Sequence, residues 1–199
     1  MQGGPIDFPI TAQDKVSVAF RERGIHSFAE AARFVQHLPY ARNANKHDPL
    51  TVLTDGHGTC STKHALLKML ADEHDQHAIQ LMIGLFRMSG RNTPAVRATL
   101  EHHQLDHIPE AHCYLKYNGV VMDHTRSGSS PSDFVPDLIE EQAITPDRIT
   151  DFKVNYQRAF IAGWLPGMAR PDLTFERIWL IREQCIQDLA AGSRTPSSS

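Results

Sequence analysis

Asn118-Gly119, set between two β-rich runs, constrains this chain more than any other feature, because that dipeptide is the strongest short-range signal for a two-residue type I′ hairpin turn. A two-residue turn dictates register. Tyr117 therefore faces Val120, and counting outward Tyr114 opposes Asp123 and His112 opposes Thr125. His112, Tyr114, Asp123 and Thr125 then project from one face, while Cys113 points to the other and is expected in the core. His112 and Asp123 become diagonal neighbours, roughly 7–8 Å apart and within reach of their side chains. The carboxylate can thus hold the imidazole in one tautomer and stabilise its charged form.

The second informative stretch, Asp55 to Leu70, places Cys60 where a Gly-rich loop turns into a helix. Thr59 suits the N-cap, and Ala65, Leu66, Leu67, Met69 and Leu70 supply the apolar stripe. Cys60 then lies in the first turn beside unpaired N–H groups, where the helix dipole favours thiolate and lowers the thiol pKa from about 8.5. Taken singly, each residue has a bland reading: most free cysteines are inert and buried, and a lone strand histidine or an aspartate near a strand end is usually structural. Together, a helix-start cysteine with a histidine and an aspartate on one hairpin face is what activation of a thiol nucleophile requires.

With these residues in place, the chain resembles the transglutaminase-like superfamily, whose members share the papain-like cysteine-enzyme architecture. The resemblance rests on Gly58-Thr59-Cys60, His112-Cys113-Tyr114 and Asp123-His124-Thr125, and covers roughly residues 30–126. Tyr114 stands where the family often has Trp, and His124 where Pro commonly follows the Asp. The resemblance implies that Cys60 attacks an acyl carbon, His112 takes and returns the proton, and Asp123 orients His112. A thioester forms, to be resolved by water or an amine, with no cofactor and no metal. The Cys60 N–H is the natural first oxyanion donor, and Thr54, Asn43, Asn45, His57 and Tyr40 are unranked candidates for the second.

The remaining sequence reads as α+β: a papain-like core with helices packed on a small antiparallel sheet, and extra helices at the C-terminus. One domain over 1–192 is expected, with the core at about 30–126, a helical extension at about 132–192 and a disordered tail at 193–199. At 199 residues, 41% of them hydrophobic, the chain can bury a sizeable core without disulfides. Helices are predicted over 12–23 and from a capping box at Ser27 to Glu30, ending at Pro39. A loop over 40–55 carries an extended stretch at Leu50 to Leu53, and a strand follows at Ala78 to Phe86. A helical insertion at Thr93 to His102 has Pro94 in its first turn, and two amphipathic helices lie at about 146–162 and 174–190.

No apolar run approaches the ~18 residues a membrane span needs, and the N-terminus lacks a signal-peptide pattern. Three cysteines, an odd number, fit a reducing compartment, so the protein is expected in the cytoplasm. A net charge of -3 without a Lys/Arg cluster argues against nucleic acid as a partner. The expected partner is a peptide or protein substrate, or a small amide, with no membrane. Two other readings compete. His102, His103, His107, His112 and Cys113 are ligand types for a transition metal, though at no standard spacing. The other is a non-catalytic peptide-binding module on the same fold.

Overall fold

Two of the α-helices start in capping boxes, one predicted and one not. In the computed structural model, which describes residues 6–192, the Ser27 hydroxyl accepts from the Glu30 N–H, the Glu30 carboxylate accepts from the Ser27 N–H, and α2 (Phe28–His37) begins there. The expected tail at 193–199 lies outside the described residues. The helix predicted over 12–23 is shorter, α1 (Lys15–Arg21). The central α4 (Cys60–Asp72) starts behind Thr59, whose side chain accepts from the Thr62 N–H while Thr62 Oγ1 accepts from the Thr59 N–H. Threonine thus fills the place usually taken by Glu or Gln.

Leu50 to Leu53 is a correction: it is not extended but leads into a short helix, α3 (Thr51–Asp55). Asp48 nucleates it by accepting from the Leu50 N–H at 3.1 Å, and Gly56 stops it in the left-handed region at φ 68°. A short apolar run cannot by itself tell strand from helix, and here the turn chemistry on either side decides.

Strands β1 (Ile79–Met88), β2 (Ile108–Tyr117), β3 (Val120–Met122) and β4 (Leu138–Ile144) form one antiparallel sheet in the order β3-β2-β1-β4. The hairpin turn has both Asn118 (φ 48°) and Gly119 (φ 83°) at positive φ, as type I′ demands, and Tyr117 pairs with Val120. Pairing stops at Leu115 with Met122, so the further pairs Tyr114–Asp123 and His112–Thr125 do not form as ladder partners. Asp123 is the reason. Its Oδ1 accepts from the Thr125 N–H at 3.0 Å and the Thr125 hydroxyl at 2.5 Å, bending the chain off the strand in an Asx turn.

β4 is a second correction, since 132–192 was expected to be helical. Its sequence, Leu-Ile-Glu-Glu-Gln-Ala-Ile, shows neither alternation nor β-rich composition, because this is an edge strand with Glu140 to Ala143 exposed. The insertion is a 3₁₀ turn, Pro94–Val96, running into α5 (Arg97–His102). The two C-terminal helices are α6 (Asp151–Trp164) and α7 (Phe175–Gly192). No helix among the described residues is long and apolar enough to cross a membrane.

β1 divides the interior. Ile79, Leu81, Ile83 and Leu85 pack toward α1, α2 and α4, while Met82, Phe86 and Met88 face a second cluster with Tyr114, Phe134, Ile178 and Ile181. Burial on both faces explains its near-continuous apolar run. Gly84, paired with His112, leaves room there, since a Cβ would sit 2.7 Å from the Leu138 side chain and 3.1 Å from Tyr114.

Candidate active site

The start of α4, the middle of β2, the turn after β3 and α7 line one narrow cleft, and the buried face of α6 reaches Cys60 through Lys153. Cys60, 5% exposed, enters from the helix start. The glycine two residues before it is there for space, because a Cβ on Gly58 would fall 2.9 Å from Val52 and 3.0 Å from Lys63 and Thr62 side-chain atoms. The loop is pinned by the Gly58 N–H to the Pro39 carbonyl and by the Ala41 N–H to the Gly58 carbonyl, each at 3.2 Å.

His112 Nε2 lies 3.4 Å from Asp123 Oδ2, leaving Nδ1 as the nitrogen available to Cys60. The diagonal neighbourhood derived from the hairpin turn is therefore present, although the Asx turn rather than the ladder delivers the carboxylate. Cys113 is fully buried and packs in the α4-side core, away from the ring of His112. The sequence-predicted Cys60, His112 and Asp123 all line the same cleft, walled by Phe86, Phe134 and Ile186, with about 70 Å³ of free volume.

Burial by itself pushes the Cys60 thiol up. The charge of Lys153, contact with His112 and the Cys113 N–H outweigh it and bring the thiol down to about 5. Burial works the other way on His112, and Asp123 together with the Cys60 sulfur overcomes it, raising the imidazole to about 10. Asp123 is held well below the usual carboxylate range: burial opposes its charge, but His112, His64 and Thr125 favour it more strongly.

His64, one turn into α4, was not singled out by sequence. Its Nδ1–H donates to the Cys60 carbonyl at 2.7 Å and its Nε2 accepts from the His124 N–H at 2.8 Å, so both partners require the neutral ring. Burial pushes it down to about 3. His64 thus ties the helix that begins at Cys60 to the Asp123 turn. Lys63 does similar work from the next position, donating to the Leu38 carbonyl and, at 2.7 Å, to the Thr125 carbonyl.

Lys153 is the residue that sequence reasoning missed. From α6 its Nζ lies 3.4 Å from Cys60 Sγ and donates to Ser61 Oγ at 2.8 Å. The buried face of α6 is Lys153, Gln157 and Ile161, so two polar residues occupy positions that pattern reading assigns to solvent. Gln157 donates to Glu110 at 2.7 Å, and Arg182 of α7 grips the same carboxylate through Nε at 2.8 Å and Nη2 at 2.6 Å.

Of the five candidates for a second oxyanion donor, Tyr40 lines the cleft with Cys60. Asn43 Nδ2 is committed to the His57 carbonyl at 2.8 Å and to Asp55 at 3.2 Å, Thr54 bonds to the Thr51 carbonyl, and His57 Nε2 meets the Arg42 carbonyl. Asn45 lies in a separate basin beside Lys153. Burial, reinforced by Cys60 and Glu110, raises the Tyr40 phenol so that it keeps its proton.

The histidine-rich stretch is dispersed. His102 and His103 touch edge to face at the end of α5, His107 packs on Trp164, and His112 faces Asp123. Among the described residues, no group of three or more His, Cys, Asp or Glu side chains is arranged to hold a metal ion. Comparison with protein-family models, with curated proteins and with solved structures returned no match to this chain.

Proposed function

We propose that this protein is a cysteine-dependent acyl-transfer enzyme on a papain-like core of the transglutaminase-like kind, acting on an amide or peptide by hydrolysis or transamidation. One observation carries the reading: a thiol at a helix start shares a narrow cleft with an imidazole whose far nitrogen lies 3.4 Å from a buried carboxylate. In this scheme the Cys60 sulfur bonds to the acyl carbon and the carbonyl π-electrons move to oxygen. The oxyanion receives the Cys60 N–H and the Tyr40 O–H, and collapses as the C–N bond breaks while His112 passes its proton to the departing amine. Water or a second amine then adds to the thioester while His112 takes its proton, and the C–S bond breaks to release Cys60 as the thiolate beside a protonated His112. Asp123 stays ionised and holds the ring.

A peptide-binding module without chemistry is the second reading, since a fold can be kept without its activity. The experiment that separates the two is thioester trapping. Wild type and Cys60→Ala are incubated with a panel of activated acyl esters and short glutaminyl and peptidyl amides, then analysed by intact-mass spectrometry with and without hydroxylamine. A hydroxylamine-labile adduct on wild type alone, with release of amine, supports the enzyme. Saturable binding of a peptide with no adduct and no turnover supports the module.

A further inference from the structure

Beyond the triad, the buried charges around Cys60 do not balance unless the sulfur carries one of them. Lys153 is 8% exposed as a whole residue, and the acceptors it meets are Cys60 Sγ at 3.4 Å and Ser61 Oγ at 2.8 Å. An ammonium taken out of water needs an anion, and a hydroxyl is not one.

The two nearest buried carboxylates are already committed. Glu110 of β2 is clasped by Arg182 from α7 and by Gln157 from α6 itself. Asp123 faces His112 and His64 and accepts twice from Thr125. From α4, Lys63 adds another cation, fixed on the Leu38 and Thr125 carbonyls. Cys113 of β2 is itself a thiol that burial pushes up to about 11, and Tyr40 keeps its phenolic proton, so neither supplies negative charge. The sulfur of Cys60 is the group left to answer Lys153.

We propose that Lys153 is a fourth catalytic group, the standing counter-ion that keeps Cys60 as a thiolate whether or not His112 is protonated. The inference rests on the reading of Cys60 as the nucleophile, and it changes the division of labour. In a plain Cys–His pair, the imidazolium both stabilises the thiolate and stores the proton for the leaving group. With Lys153 in place, His112 is released from the first task. Ser61 holds the ammonium against the sulfur, and α6 becomes part of the catalytic apparatus.

The test is the pH dependence of Cys60 alkylation by iodoacetamide in the full-length protein, assigned by peptide mass spectrometry, for wild type, His112→Ala and Lys153→Met. Circular dichroism establishes that each variant is folded. Lys153→Met is expected to raise the inflection by at least about one pH unit, which means about tenfold less thiolate at a pH well below both inflections. His112→Ala is expected to keep an inflection clearly below the free-thiol value of about 8.5. The proposal is overturned if His112→Ala raises the inflection as much as Lys153→Met or more. Should Lys153→Met not fold, Lys153→Gln takes its place and is judged by the same comparison with His112→Ala. Alkylation reads the thiol and not turnover. A Lys153-held thiolate with no acyl transfer on any substrate would keep this inference and remove the proposed enzyme.

Discussion

At the scale of single residues, the three cysteines share one chain but not one chemistry. Cys113 and Cys185 are fully buried, and burial pushes their thiols up to about 11 and about 12, whereas Cys60 is pulled down. Brief treatment of the native protein with haloacetamide at pH 7 should therefore label Cys60 alone, as peptide mapping would show. Equal labelling of Cys113 would contradict its assigned place in the core. Cys60→Ala should abolish acyl transfer and still fold, but with a penalty that loss of a small side chain would not predict. Lys153 would keep Ser61 and lose the sulfur, so urea denaturation should show a loss of about 1–3 kcal/mol, the range for a buried polar group stripped of a partner. That Cys60, His112 and Asp123 share one cleft was legible from a type I′ turn and a helix start, although an Asx turn rather than the ladder delivers Asp123. Lys153 was not legible. A lysine four residues before a glutamine on an amphipathic helix reads as solvent-facing, and only the partners it meets in space, Cys60 and Ser61, reveal otherwise.

At the scale of elements, legibility followed the strength of local chemistry. The hairpin, α2 and α4 announce themselves through a turn dipeptide and N-caps whose hydrogen bonds are local. α3 and β4 do not, since an Asp48 turn decides one and an edge position beside β1 decides the other. The polar part of the attachment of the last two helices was equally hidden, because it meets at a single carboxylate. Glu110 of β2 receives Gln157 of α6 and two nitrogens of Arg182 of α7, and Arg182 also pairs with Glu183, which in turn meets Arg42. Glu110→Gln leaves the guanidinium of Arg182 largely buried with a weaker partner. Breaking a buried pair in this way costs about 3–5 kcal/mol, so the urea midpoint should fall and α7 amides should lose hydrogen-exchange protection before those of β1. Unchanged protection of α7 would mean that its apolar face, Ile178, Ile181 and Cys185, holds it without the network.

At the scale of the whole molecule, the site is a charge assembly, and its pH dependence follows from the directions of the shifts. Cys60 falls to about 5 from an ordinary value near 9.0, so its contribution is full at high pH and fades as pH drops toward 5. His112 rises to about 10 from 6.5, so its contribution is full below 6.5 and fades as pH climbs toward 10. Acyl transfer, which in the proposed scheme needs thiolate and imidazolium together, should accordingly rise through the lower value, hold a plateau and fall through the upper one. Stability is less simple, because Lys63, pushed down to about 8 by burial, gains stability above that pH and masks the alkaline loss from His112. Comparing wild type with His112→Ala cancels the Lys63 share to first approximation. The stability advantage of wild type, from urea unfolding at intervals between pH 6 and 10, should shrink steadily as pH rises, by up to about 1.4 kcal/mol per pH unit for one proton. An advantage that stays constant across that range would mean that His112 is neutral in the folded protein, and Lys153 alone would then face the thiolate.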